Sequence, residues 1–217
     1  MKYTYSISQN GRSRSFPDAH PFVQNATANG DIAVLIGEPR LDVVSMRGRP
    51  AVLVELGTEC LAVHTGGCDE PESSNAVGFA RWRLGSNPPS NLIELVVEPG
   101  TKESSLTAAR AVFEAAGLAV SVCADRIGRI VDRLMRPQFN LALRAIEDGV
   151  ASPKDLDQCL KLGLGYRNGL LEPLIASGLE HHCIVTGALF QTYGQPQYAP
   201  ATRAIAAQVR HGRETPE

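Results

Sequence analysis

Leu92-Ile-Glu-Leu-Val-Val97, Thr101-Lys-Glu-Ser-Ser-Leu-Thr-Ala-Ala-Arg-Ala-Val-Phe-Glu-Ala-Ala-Gly117 and Leu118-Ala-Val-Ser-Val-Cys123 follow one another with almost no chain between them. The two outer runs are short and rich in Val, Leu and Ile, the pattern of strands that are apolar on both faces. The middle run is filled with Ala and Leu, has Ser104 or Ser105 as its predicted cap, and stops at Gly117, so it reads as a helix. Strand, helix, strand in that order is a βαβ unit, which implies a parallel sheet.

Upstream of this unit, Asp31-Ile-Ala-Val-Leu-Ile-Gly37, Arg49-Pro-Ala-Val-Leu-Val-Glu-Leu56 and Glu59-Cys-Leu-Ala-Val-His64 share its texture. They read as further buried parallel strands. Residues 1–30 are polar and hold either a short strand over Lys2–Ser8 or a loose arm. Downstream of about residue 125 the strands stop. Gly128 to Asp148 reads as one long helix, ended by Gly149, with Pro137 predicted to kink or split it. Ser152-Pro-Lys-Asp-Leu-Asp157 is a helix start with Ser152 at N-cap and Pro153 at N1. Further helices are predicted near 168–177, 179–193 and 199–211. The fold class is therefore α/β followed by all-α, with domains at 1–125 and 126–217.

Charge narrows the partners. Across 217 residues, 21 Lys and Arg face 23 Asp and Glu, a formal charge of −2. No basic field exists to hold a nucleic-acid backbone or an anionic membrane. No apolar run approaches the roughly 18–20 residues of a membrane span, and Met1-Lys-Tyr-Thr-Tyr-Ser-Ile-Ser8 lacks the apolar core of a secretory signal. A cytoplasmic, soluble protein is the expectation. Cys60, Cys68, Cys123, Cys159 and Cys183 are odd in number, widely spaced and form no CxxC. They read as reduced thiols rather than as a disulfide framework or a zinc site.

The helical block carries a resemblance. Gly128-Arg-Ile-Val-Asp-Arg-Leu134, Asn140-Leu-Ala-Leu-Arg-Ala-Ile-Glu-Asp-Gly149, Ala151-Ser-Pro-Lys-Asp-Leu-Asp157, Lys161-Leu-Gly-Leu-Gly-Tyr166 and Gly178-Leu-Glu180 occur in sequence. Their order and spacing resemble the C-terminal domain of the 3-hydroxyacyl-CoA dehydrogenases, and the likeness extends back through 92–97 and 101–117. The resemblance implies NAD as the family cofactor and a dimer formed through the helical domain. It also implies a hydride-transfer site. There a His takes the proton of the substrate 3-hydroxyl, a Glu orients that His, and a Ser and an Asn hydrogen-bond around the hydroxyl or thioester carbonyl.

The first part of the chain departs from the family. A GxGxxG turn, which seats the NAD pyrophosphate on a helix N-terminus, is absent. The glycines near the first apolar run are Gly30 and Gly37, one on each side of it. Gly30-Asp-Ile-Ala-Val-Leu-Ile-Gly-Glu38 resembles either a later strand of the fold or a decayed first one. The expectation is a truncated Rossmann-like sheet whose first nucleotide-binding half is missing or greatly reduced. This resembles the second module of the two-module dehydrogenases of phenylacetate-type degradation.

Position by position, the resemblance leaves little of the site. Glu94 matches the family glutamate, and its bland alternative is a strand-end carboxylate paired with an arginine. The family His falls on Ala80 when the alignment is anchored at Gly78, and on Trp82 when counted back from Glu94; neither accepts a proton. The family Asn-Thr-Ser at a strand end falls on His64, Thr65 and Gly66. These are the candidate substrate-binding residues, with His64 a candidate replacement base at the end of a strand. The family Asn falls on Asp132, whose bland alternative is a surface arrangement with Arg133 or Arg129. An ionised Asp cannot donate a hydrogen bond. His181-His182-Cys183 cannot chelate, because adjacent side chains diverge on a helix. Arg12, Arg14, Arg81, Arg83 and Arg129 read as CoA-phosphate contacts or as a solvated face.

The sequence therefore predicts a homodimeric homologue that binds an acyl-CoA or assists a complete dehydrogenase and binds no NAD alone. Its predicted interface is an apolar helical surface drawn from Leu141, Leu143, Leu160, Leu164, Leu170, Leu171 and Leu174. One alternative is an active oxidoreductase with a rearranged site or a partner-supplied nucleotide domain. A purely structural dimer module is the other.

Overall fold

The computed structural model describes residues 3–39, 48–70 and 72–214. It contains, in order, β1 (Tyr5–Asn10), α1 (Pro21–Gln24), β2 (Ile32–Gly37), β3 (Val52–Glu55), α2 (Ala62–Thr65), β4 (Ala76–Arg81), β5 (Leu92–Val97), α3 (Glu103–Ala115) and β6 (Ala119–Ala124). The helices α4 (Val131–Glu147), α5 (Pro153–Gln158), α6 (Leu171–Ala176), α7 (Leu179–Tyr193) and α8 (Thr202–Glu214) follow. A π-helical turn at Cys159–Gly163 continues α5, and a 3₁₀ turn at Pro196–Tyr198 precedes α8.

The described residues form two compact units. One holds those up to Arg83 together with Pro89–Arg129; the other holds Leu84–Pro88 and those from Ile130 onward. The first is a six-stranded sheet in the order β1-β2-β3-β4-β5-β6. All neighbours are parallel except β4 and β5, which pair antiparallel. The β5-α3-β6 unit forms as the sequence predicts. The antiparallel pair corrects the expectation of a wholly parallel sheet. Arg81 and Leu92 are joined by a connection too short to carry a crossover helix, so the chain can only turn back. Strand order follows sequence order with no reversal. Doubly wound nucleotide folds reverse their order, classically 3-2-1-4-5-6, and bind at the reversal. The sheet is mostly parallel and Rossmann-like, but without that reversal.

Period-two alternation divides the sheet into two faces. Tyr5, Ile32, Val34, Ile36, Leu53, Val77, Phe79, Ile93 and Leu95 form one, packed against Phe22 of α1 and Ala108, Ala109, Val112 and Phe113 of α3. Phe22 stacks on Tyr5, Phe16 and Phe113 with ring centroids 4.8–4.9 Å apart. Ala33, Leu35, Val52, Val54, Leu56 and Val96 form the other, with Leu61. β6 is an edge strand, half-buried rather than closed on both faces.

Several local expectations change. Glu59–His64 is not a strand: Asp125 at the end of β6 accepts from the N–H groups of Leu61 (2.7 Å) and Ala62 (2.9 Å), which starts α2 there. α3 begins at Glu103 after Lys102, so neither Ser104 nor Ser105 caps it. Ser105 is buried inside the first turn and donates to Pro50 O at 2.7 Å.

In the helical unit, Ser152 caps α5 as predicted, accepting from Asp155 N–H at 3.2 Å. α4 runs through Pro137 without breaking, which corrects the predicted split. A proline at 137 has no N–H to give the Arg133 carbonyl; the Tyr198 hydroxyl approaches that carbonyl at 3.5 Å instead. Gly85 (φ +54) lies so close to Ser177 O that any Cβ there would overlap it, and Ser86 N–H donates to the same oxygen at 3.0 Å. Of the leucines predicted for an interface, Leu143, Leu170, Leu171 and Leu174 are buried core residues, while Leu141 and Leu164 are exposed.

Candidate functional site

Glu94 is the third residue of β5, on the face shared with Val96. It is only 1% exposed, so its charge needs a partner. Arg129 supplies one: its Nε lies 3.5 Å from Glu94 Oε2, an ion pair rather than a hydrogen bond, and its NH1 donates to Gly57 O at 3.0 Å. Arg129 reaches this position from a left-handed backbone (φ +48), directly after Gly128 (φ +79). A non-glycine residue there is strained by about 1–2 kcal/mol, so the pairing offsets a local backbone cost. Arg129 is therefore neither a phosphate contact nor a solvated residue, and Glu94 is paired with an arginine but is not at a strand end.

The β4–β5 register places Ala80 directly across from Glu94. Directly opposed residues share a face, with Cβ atoms about 4.5–5.5 Å apart. Trp82 lies beyond the end of β4. Of the two alignments, the one anchored on Gly78 has the geometry that lets a side chain meet Glu94, and that side chain is a buried methyl group.

His64, Thr65 and Gly66 do not stand at a strand end. His64 and Thr65 close α2, and Gly66 (φ +81) terminates it with its N–H on Ala62 O. The strand end in this region is Glu55, followed by the turn Gly57-Thr58-Glu59. Gly57 N–H donates to Glu59 Oε1 at 2.9 Å, and His64 Nε2 lies 3.4 Å from the same oxygen. Burial alone would raise the Glu59 pKa; hydrogen bonds from Gly57, from its own N–H and from His64 outweigh it and hold the carboxyl low. Thr65 donates to Glu98 Oε1 at 2.9 Å. Glu98 is 6% exposed, and burial pushes its pKa up despite that bond.

A second buried carboxylate was not singled out from the sequence. Glu55 is 2% exposed and accepts from Ser13 Oγ, Ser15 N–H and Gly37 N–H. Arg81 holds the same loop: it donates to the carbonyls of Ser15 (2.9 Å) and Ser90 (2.8 Å), and its guanidinium lies 5.2 Å from the Phe16 ring. Arg81 is thus buried structure rather than a solvated face. The signal was available, since a lone Glu in Val52-Leu-Val-Glu55 demands partners.

In the helical unit, Asp132 is 7% exposed and accepts from Arg136 Nε at 2.8 Å, one helical turn on. Asp132 is thus buried in an ion pair with Arg136, not in the surface arrangement predicted with Arg133 or Arg129. Arg136 is fully buried and its NH1 lies 3.2 Å from His182 Nδ1. A guanidinium only donates, so Nδ1 accepts and the proton of His182 is on Nε2. Nε2–H then donates to Asn140 Oδ1 at 2.9 Å. Asn140 Nδ2 donates to Thr186 Oγ1 (2.8 Å) and to Gln197 O (3.0 Å), and Thr186 donates to Tyr198 O (2.8 Å). Burial first, and Arg136 second, lower the His182 pKa to about 3. The adjacent-histidine argument misses this network. The i, i+3, i+4, i+7 spacing of His182, Val185, Thr186 and Leu189 is the signal of a buried helix face.

All five cysteines are free thiols. Among the described residues no group of His, Cys, Asp and Glu has the arrangement to hold a metal ion. No helix among them is long and apolar enough to cross a membrane.

Residues 128–217 match the 3-hydroxyacyl-CoA dehydrogenase, C-terminal domain family. The chain is 32% identical over 133 residues to the mitochondrial hydroxyacyl-coenzyme A dehydrogenase of Sus scrofa, covering 60% of this chain and 42% of that one. It is 32% identical over 84 residues to a 3-hydroxybutyryl-CoA dehydrogenase of Mycobacterium tuberculosis, covering 39% of this chain and 29% of that one. The chain thus spans less than half the length of these relatives. Its fold resembles the crystal structure of an (S)-3-hydroxybutyryl-CoA dehydrogenase from Ralstonia eutropha. That likeness has a TM-score of 0.67 and 18% identity, over 84% of this chain and 66% of that one.

Proposed function

We propose that the chain, whose residues 128–217 match the 3-hydroxyacyl-CoA dehydrogenase C-terminal domain family, serves acyl-CoA metabolism as a homodimeric acyl-CoA-binding or accessory homologue. On this reading it does not carry out NAD-dependent hydride transfer by itself. The observation that carries the reading is the Ala80–Glu94–Arg129 arrangement. A family site needs a proton acceptor oriented by the glutamate. Here the residue facing Glu94 is a methyl group, and the carboxylate answers a guanidinium instead. Arg129 cannot serve as the base, because a guanidinium stays protonated in proteins. Asp132 is likewise committed to Arg136.

The turn after β1 does not suit a dinucleotide pyrophosphate. Asn10-Gly11-Arg12-Ser13-Arg14-Ser15 lacks the glycines that let phosphate approach the backbone. Its Ser13 and Ser15 donors already hold the Glu55 carboxylate.

A second reading has one observation in its favour. His64 and Glu59 form a half-buried histidine–carboxylate pair at the turn that also receives Arg129. That pair would supply a relocated general base for an active oxidoreductase.

One experiment separates the two. Purified chain is assayed for NAD-dependent oxidation of 3-hydroxybutyryl-CoA, and its melting temperature is measured with NADH, CoA and acetoacetyl-CoA. A ligand that binds only the folded state raises the melting temperature as its occupancy grows. The binding homologue predicts a rise with acetoacetyl-CoA, none with NADH and no turnover. Turnover abolished by His64→Ala would establish the second reading. No response to any of the ligands would leave a structural module.

A further inference from the structure

Three donors from two separate segments converge on one buried carboxylate. Ser13 Oγ (2.9 Å) and Ser15 N–H (2.5 Å) reach Glu55 Oε1, and Gly37 N–H reaches Oε2 at 2.6 Å. Phe16 N–H donates in turn to Ser13 Oγ at 2.9 Å, so the hydroxyl is fixed toward the carboxylate. Ser13, Ser15 and Glu55 are each no more than 2% exposed. Gly37 can be nothing else: its φ is +87, and a Cβ there would overlap Asn10 O.

These donors stand at a particular place in the sheet. Ser13 and Ser15 follow β1, and Gly37 is the last residue of β2, paired in register with Asn10. They lie at the carboxyl ends of two adjacent parallel strands. Open α/β sheets bring ligands to that end, and converging backbone N–H groups in turns make anion-binding concavities. In this chain the oxyanion is its own side chain, delivered from the end of β3.

We propose that Glu55 is an internal anion occupying an oxyanion site built by Ser13, Ser15 and Gly37. The wild-type chain therefore excludes phosphate-bearing ligands from the ends of β1 and β2, and removing the carboxylate exposes the site. An incoming phosphate would meet donors already engaged and a second negative charge within a few ångströms, an unfavourable pairing in a buried place. The exclusion of a dinucleotide rests on the reading that the chain does not use NAD alone; the oxyanion site does not.

The test is thermal melting of the full chain, wild type and Glu55→Ala, titrated with formate and with inorganic phosphate against chloride at matched ionic strength. Formate replaces the bare carboxylate; phosphate asks whether the site admits a larger oxyanion. Glu55→Ala should melt lower than wild type and recover with formate, phosphate or both, by about 3–6 °C per tenfold rise above the dissociation constant. Wild type should not respond beyond the chloride control. If Glu55→Ala is unfolded in plain buffer, its far-UV circular dichroism must return on adding one of the two anions. Failure of both anions to rescue Glu55→Ala, or an equal response in wild type, overturns the proposal. Hydride-transfer activity is not read in this experiment, so its failure is distinct from the failure of the functional reading.

Discussion

Ala80 faces Glu94 across the antiparallel β4–β5 ladder, and the carboxylate is answered from elsewhere in the chain, by Arg129. Both members of that ion pair are nearly excluded from solvent, with side-chain exposures of 2% and 8%. Removing one member of a buried pair leaves the other charge uncompensated, at about 3–5 kcal/mol.

Arg129→Ala should therefore lower the free energy of unfolding by several kcal/mol, measured from urea denaturation midpoints. Arg129→Gly loses the same ion pair but relieves a positive φ, which glycine adopts freely. It should be the more stable of the two by about 1 kcal/mol. An equal loss in both would mean that the left-handed geometry at 129 carries no strain. Glu94→Gln should restore much of the stability of Arg129→Ala, because the stranded charge is then gone. Additive losses would sink the pairing.

Why some of this was legible and some not follows from the range over which each signal acts. The β5-α3-β6 unit, the Ser152 cap and the Gly117 and Gly149 stops are fixed by residues within a few positions of one another, and all form as read. The Glu59–His64 segment has a strand's composition, but Asp125, more than sixty residues away, captures two of its N–H groups and turns it into a helix. Glu94 stood out as a carboxylate in an apolar strand, and it is buried and paired. Its partner was invisible because Arg129 reaches it only through an unusual backbone. The choice between Ala80 and Trp82 needed the strand register, which depends on how many residues the turn after Arg81 absorbs. Asp132 and His182 illustrate the same limit: each was read against its sequence neighbours, yet they meet through Arg136, across two helices.

Thiol chemistry gives an independent check on the sheet. Burial, with Glu94 and Asp125 adding to it and Arg129 opposing, pushes the Cys123 thiol up to about 11. At pH 8 only about one in a thousand such groups is thiolate, the reactive form. Cys159 is exposed on the π-helical turn. Brief iodoacetamide treatment at pH 8, followed by peptide mass spectrometry, should label Cys159 first and leave Cys123 and the buried Cys183 unlabelled until denaturant is added. Labelling of Cys123 at the rate of Cys159 in native protein would contradict its placement.

The His182 network makes the protein sensitive to acid in a defined window. In the folded chain His182 titrates at about 3, chiefly because it is buried and then because Arg136 lies beside it. In the unfolded chain it titrates near 6.5. Between those values the unfolded state holds the extra proton, so stability falls as pH falls, by at most about 1.4 kcal/mol per pH unit. Above about 6.5 the group contributes no slope. His182→Gln keeps an acceptor for Arg136 and a donor for Asn140 but has no titration. Its urea midpoint should therefore depend less on pH than that of wild type between pH 6.5 and 4. Parallel curves for the two proteins would mean that other groups set the acid sensitivity.

The proposed homodimer can be tested on a surface the structure redefines. Four of the seven leucines expected at an interface are instead core. Ile184 and Phe190 of α7 and Ile205 and Val209 of α8 are large apolar side chains that remain 38–50% exposed. Ile184, Phe190 and Ile205 border a groove of about 450 Å³ lined also by Cys183, Gly187, Ala188 and Pro200. These exposed apolar side chains are the proposed association site, and a two-fold axis lets one such patch meet its own copy. Sedimentation equilibrium should give wild type about twice the 23.3 kDa chain mass. Phe190→Glu and Ile205→Glu should each shift it toward the single-chain mass, because a charge buried in an apolar interface goes unpaired. Both positions are already partly hydrated, so the stability of the isolated chain should change by no more than about 0.5 kcal/mol. A wild-type chain that stays at 23.3 kDa at every concentration tested would end the dimer proposal. Dimers that persist in both variants would move the interface to another face, with the exposed Leu134, Leu141, Leu162 and Leu164 next to be substituted.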